Sequence, residues 1–216
     1  RGRWLGAKLW IRMRDVAHFR ALGRSADIVH VHYGHFAYYA WSVRRPYLLH
    51  LHGTDVRVNV GSRGLGRLTR RAIHRAAAVV YSTPDMRDAV HALRPDATWL
   101  PAPLDPSVTA AEARYGPWQG PAEPSRPRIV FASRWDVVKG LDELLAAARA
   151  LRLCYPEADL VGDHWGAGAA DAAAAGVRLL SLLPAAEFRD LLAGADVVIG
   201  QLASGALGVA DLTAMA

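Results

Sequence analysis

Cysteine is almost absent. Cys154 is the single one among 216 residues, so no disulfide can form within the chain. That suits a reducing compartment and an expected cytoplasmic location. No run of about 18 apolar residues occurs, so no transmembrane helix is expected. Several catalytic signatures are missing too: no G-x-S-x-G, no Walker motif and no G-x-G-x-x-G after a strand. The GAG at 166–168 is too short to mark a dinucleotide site. Acidic residues are scarce in the first half. Residues 1–105 hold 17 Lys/Arg against 7 Asp/Glu, a net +10, while 106–216 carry a net −4. A basic half calls for an acidic partner: a phosphorylated substrate, an anionic membrane surface or nucleic acid. A merely solvated basic face is the plain alternative.

What is present is an α/β pattern with 52% hydrophobic residues, enough to bury a sizeable core. Trp4 to Leu22 has helical spacing of Leu5, Leu9, Ile11, Met13, Val16, Phe19 and Leu22, with basic residues and tryptophans between. Such a helix either packs on a sheet or lies on an anionic membrane. Strands are expected at Asp27–Tyr33, Tyr47–His52, Ala78–Tyr81 and Thr98–Leu100, with helices between them. Ser82 or Thr83 is the expected cap of the helix after the third strand. Residues 106–127, rich in Pro, Gly, Ala and Glu, read as a linker. The expected domains are therefore 1–105 and 128–216. The second opens with RIVFASRWDVVKGLDELL, Arg128 to Leu145: a strand, a cationic turn and a helix. Further strands are expected at Asp159–Gly162, Val177–Leu182 and Ala195–Gly200, and helices at Ala169–Ala175, Ala185–Leu192 and over VADLTAMA. Strand, helix and strand at this spacing predict parallel sheets with right-handed crossovers.

Ligands of open parallel sheets bind at the carboxyl ends of the strands. That edge carries His52, Gly53, Thr54, Asp55, Ser82 and Thr83 in the first lobe. In the second it carries Arg134, Lys139, GDHWGAG and QLASGALG. Arg134 and Lys139 beside a helix N-terminus make an anion site or, on the plain reading, a solvated loop. His52 is either a hydrogen-bonding group for a polyol or a satisfied core histidine, and Asp55 either lines a cleft or serves a turn. His30, His32, His50 and His52 share strand faces, but no Cys or clustered Asp/Glu completes a metal set, so no metal is expected.

SRWDVVKGLDELL resembles the donor-lobe signature of family 4 glycosyltransferases, which have the GT-B fold of two Rossmann-like lobes facing across a cleft. DIVHVH, LHGTD, VVYSTPDM, WLPAPLD, LPAAEFRDLLAGADVVIG and LTAMA stand in that family's order, from Asp27 to Ala216. The resemblance implies transfer of a sugar from a nucleotide-sugar donor to a carbohydrate or lipid-linked acceptor. It implies retention, no cofactor and no catalytic metal. Arg134 and Lys139 would hold the donor diphosphate, His52 would contact the donor sugar, and His32, Gly53, Thr54 and Asp55 would line the acceptor side. The family's pair of glutamates, with seven residues between them, falls on Gly205 and Thr213, so those donor-binding positions carry no carboxylate. The first strand with its Gly-rich loop, and the end of the second lobe, are expected outside the chain, which reads as an internal fragment. A catalytically impaired GT-B binding or scaffold protein and a sugar-nucleotide epimerase of the same fold are the alternatives. A peripheral contact with the inner face of an anionic membrane is expected for a lipid-linked acceptor; nucleic acid is not an expected partner.

Overall fold

A computed structural model of the chain describes residues 2–109, 120, 126–203 and 205–216. It divides into two units, Arg1–Ala102 and Pro103–Ala216. The expected linker, 106–127, lies largely outside the described residues; its described start is the short helix α5, Pro106–Thr109, whose Val108 is buried.

In the first unit the β-branched and apolar runs form four parallel strands, β1 (Val29–His32), β2 (Tyr47–Leu51), β3 (Ala78–Tyr81) and β4 (Thr98–Trp99), in the spatial order β1-β2-β3-β4. Alternation sends Val29 and Val31 into the core and leaves His30 and His32 on the other face. Tyr47, Leu49, Leu51, Val79 and Tyr81 complete the sheet's share of that core, and Ala72 and Ile73 of helix α3 (Gly64–Arg75) close it. Helix α2 (Ala37–Val43) adds Ala37 and Ala40.

Helix α1 (Gly2–Gly23) forms where expected, but its apolar spacing is not a core stripe. Phe19 packs against the core and meets the ring of Tyr39. Trp10, Ile11, Met13 and Leu22 face solvent instead. The expected cap at Ser82 or Thr83 is not made: neither side chain caps the turn Pro84–Met86 that leads into α4 (Arg87–His91). Ser82 is drawn instead to the carbonyl of Leu51, 3.1 Å away.

The second unit is wound on both faces. Its parallel strands β5 (Arg128–Phe131), β6 (Asp159–Asp163), β7 (Arg178–Leu180) and β8 (Val197–Ile199) lie in the order β7-β6-β5-β8. Ile129 and Phe131 face helix α6 (Leu141–Cys154) and α7 (Ala169–Ala174) through Leu144, Ala148 and Ala172. Val130 and Val161 point the other way, onto Leu192 of α8 (Ala185–Ala193). Both faces of β5 are thus apolar, as a central parallel strand requires. The chain leaves β5 toward β6 and β7, then returns to β8 on the opposite side. The reversal between β5 and β8 is a topological switch point, where the loops leaving two strands diverge and open a crevice.

Candidate functional site

The switch point gathers the second unit's polar residues. After Phe131 the chain turns through Ser133, Arg134, Trp135 and Asp136 into the short turn Val137–Lys139. Gly140, at φ +87°, then starts α6 in a backbone region that an L side chain rarely adopts. Trp135 anchors the turn. It is fully buried against Phe131, and its indole Nε1–H donates to the carbonyl of Asp163 at 2.9 Å. A Cβ on Gly162 would come within 2.9 Å of that indole, so glycine in β6 makes the seat. The backbone of Trp135 also bonds Trp165 and Gly168, which ties GDHWGAG to SRWDVVKG.

Held this way, Arg134 stays about half exposed, with Asp136 3.6 Å from its Nε. Lys139 Nζ donates to Gln201 Oε1 at 2.6 Å, across from the end of β5 to the loop after β8. Gln201 is fixed by its own Nε2–H, which donates to the carbonyl of Ala206 at 2.6 Å. Gln201 is a residue that sequence reasoning missed; its signal is its place two residues beyond β8, beside the switch point. The N-terminus of α6, expected beside these cations, carries Asp142 and Glu143 in its first turn, so carboxylates already stand near its positive end. Asp163, at the end of β6, has its carboxyl pushed up by burial, against the pull of the Trp165 N–H that it accepts at 2.8 Å.

The two positions where glutamates were expected offer no replacement acid. Gly205 is exposed. Thr213, on helix α9 (Val209–Met215), donates its hydroxyl to the carbonyl of Val209 at 2.8 Å and so serves its own helix. Asp211 accepts the N–H of Gly208 and caps α9, with its carboxylate against Gly200.

In the first unit four imidazoles crowd one edge of the sheet. His32 and His50 are register partners on β1 and β2. Nδ1 of His32 lies 2.8 Å from Nε2 of His52, whose Nδ1 is 3.1 Å from Ser82 Oγ. Ser82 Oγ is also 3.0 Å from Nε2 of His50. Burial, then the neighbouring histidines, hold His50 down to about 4 and lower His52 as well. Both shifts favour the neutral ring, which can donate or accept a hydrogen bond.

Asp55, expected on the acceptor side, is fully buried. Its Oδ2 accepts the N–H of His52 at 3.0 Å and its Oδ1 that of Gly34 at 2.8 Å. Burial pushes its carboxyl up and the two amides oppose that. It therefore fixes the turn and does not line an open surface. Gly53 is buried with φ +51°, and Thr54 beside it is exposed. The turn continues as a π-helical stretch, Asp55–Asn59. Arg57 from it donates to Asp85 at 2.8 Å and to Thr83 at 3.1 Å, tying the HGTD turn to the STPD turn. Tyr33, also missed from sequence, follows β1 at φ 70°, a conformation that costs a non-glycine residue energy and that gathers at functional sites. Its ring lies 5.0 Å from that of His52.

Two parallel α/β units with polar strand ends define a fold of the GT-B class, and solved structures bear this out. Anabaena HepE in complex with UDP-glucose superposes with a TM-score of 0.68 at 18% identity, over 93% of this chain and 60% of that one. The UDP-forming α,α-trehalose-phosphate synthase of Burkholderia xenovorans gives 0.67 at 13% identity, over 94% and 59%. The corresponding synthase of Burkholderia multivorans gives 0.63 at 14%, over 92% and 56%. The chain spans about three-fifths of the length of these structures. No curated protein sequence matches significantly. Residues 1–100, which make up nearly all of the first unit, match the model of the glycosyl transferase 4-like domain.

Proposed function

We propose that this chain is part of a glycosyltransferase that moves a sugar from a nucleotide-sugar to an acceptor, with retention at the anomeric carbon. The observation that carries the reading is the pair of cations at the β5/β8 switch point, with Lys139 aimed by Gln201 and Arg134 seated by Trp135. Donors fixed where a diphosphate leaves stabilise the negative charge that develops on it, the usual source of electrostatic catalysis. This assigns no metal to the transfer step, because the two cations neutralise the leaving group. His52 supplies a neutral ring for a sugar hydroxyl, held by His32, Ser82 and Asp55, while Gly53 and Thr54 shape the turn beside it. HepE has been seen with UDP and with UDP-glucose, which makes uridine nucleotides the first to test. The assay is release of UDP from UDP-sugars by the chain in its full-length context with sugar or lipid-linked acceptors. Acceptor-dependent release supports the reading; no release from any common nucleotide-sugar overturns it.

One observation favours a second reading, a binding protein of the same fold. At Gly205 and Thr213 no carboxylate is offered to the donor's hydroxyls, and Asp211 is committed to capping. Such a protein binds nucleotide and never consumes it.

A cytoplasmic setting with peripheral contact to an anionic membrane belongs to the same proposal. No helix among the described residues is long and apolar enough to cross a membrane. A cavity of about 380 Å³ in the first unit is lined by Trp41, Arg44, Arg45 and Arg75, with Pro46, Tyr47 and Ala77. None of these arginines has an ion pair among the described residues, which suits a phosphate headgroup.

A further inference from the structure

His30, His32 and His50 come from two adjacent strands, and a ring nitrogen of each lies within 4.8 Å of the others. The rings are packed: centroids stand 4.3 Å apart for His30 and His32, 5.2 Å for His32 and His50, and 5.5 Å for His30 and His50. The hydrogen bonds already made use Nδ1 of His32 and Nε2 of His50. They leave Nε2 of His32 and Nδ1 of His50 open, and Nδ1 of His50 is buried with no partner. A buried nitrogen without a partner is costly, so a group that fills it stabilises the site. No hydrogen bond to the His30 ring is found among the described residues.

We propose that these three histidines form a binding site for one late first-row divalent cation of the zinc class. Three neutral imidazoles with an open fourth position are a usual zinc donor set, and imidazole selects zinc, nickel and copper over magnesium or calcium. Ligand nitrogens of a tetrahedral site stand about 3.3 Å apart, given metal–nitrogen bonds of roughly 2.0–2.1 Å. The three nitrogens, within 4.8 Å of one another, would have to draw in by up to about 1.5 Å to close the set, while the strands hold the Cα atoms in register. The contact from His32 to His52 and the contact from Ser82 to His50 orient two of the ligands from behind, as outer partners of metal-bound histidines do. Sequence alone argued against a metal because no cysteine or carboxylate joined the set. The structure removes that objection by bringing three imidazoles together without them. The site lies in the first unit, whereas the proposed diphosphate grip uses Arg134 and Lys139 of the second.

The test uses the chain without a histidine tag, stripped with chelator and then titrated with Zn²⁺ against a chromophoric chelator and with Co²⁺ by visible absorption. One equivalent bound with a micromolar or tighter Kd is expected. His30→Asn, an exposed position outside the proposed catalytic groups, should weaken binding at least tenfold and abolish the rise in melting temperature that Zn²⁺ gives. His18→Asn should do neither. No stoichiometric binding, or binding unchanged by His30→Asn, overturns the proposal. Metal is read here without nucleotide, and nucleotide binding is read at Arg134 and Lys139, so either proposal can fail while the other stands.

Discussion

At His50 the fold sets a proton equilibrium against the ionised form. Desolvation first, then His52, His32 and His30, lower its pKa from 6.5 to about 4. Between those values the unfolded chain binds the proton and the folded one does not. Stability of the metal-free chain should therefore fall as pH drops from about 6.5 toward 4, with His30 and His52 adding in the same direction. Urea midpoints at pH 7 and pH 5 check this: a lower midpoint at pH 5 is expected, and equal midpoints would contradict it. Gln201 matters in another way. It holds the Lys139 ammonium in place through a charge-assisted bond worth about 1.5–3 kcal/mol. Gln201→Leu should weaken UDP binding about tenfold by releasing that ammonium, with little change in melting temperature. Calorimetric titration of the variant measures it. The sequence put QLASGALG at the ligand edge, but neither the pairing of Gln201 with Lys139 nor the commitment of Asp55 to two backbone amides was legible in it. Both depend on which loops the topology makes neighbours.

Elements were legible where periodicity was strong. Each of the eight strands among the described residues lies within or next to its expected run, because buried parallel strands announce themselves as short β-branched stretches. The failures lie at ends and faces. The π-helical turn Asp55–Asn59, which carries the Arg57 that pairs with Asp85, left no sequence mark. Helix α1 kept the spacing of a packed helix yet exposes Met13 and Leu22, because spacing tells which residues share a face but not what meets it. Strand β6 makes a sharp prediction through Gly162, whose missing side chain seats Trp135. Gly162→Val forces the indole out and should cost about 1–3 kcal/mol. A thermal melt should fall by several degrees, with a red-shifted tryptophan emission and weaker UDP binding. An unchanged melt would remove Trp135 from its role as anchor of the cationic turn.

For the molecule as a whole, the charge asymmetry was readable from composition, and the structure adds a place for it to act. Arg71 and Arg75 lie over the ring of Trp41, and Arg75 joins Arg44 and Arg45 around one cavity. If that face meets a membrane, the chain sediments with vesicles containing anionic phospholipid at low salt, less at high salt, and less still after Arg44→Glu with Arg45→Glu. Absence of sedimentation at low salt counts against peripheral contact. The fold class was also legible from the order of motifs, although no motif alone specifies it. Where the family resemblance would put a pair of glutamates the sequence reads Gly205 and Thr213, and neither side chain offers a carboxylate. The central claim is that the β5/β8 switch point grips a diphosphate. Calorimetric titration with UDP tests it most directly. Saturable binding weakened roughly 10–100-fold by Arg134→Ala and by Lys139→Ala is predicted, the cost of one charge-assisted contact each. UDP binding of equal strength in the wild-type chain and both variants would contradict it.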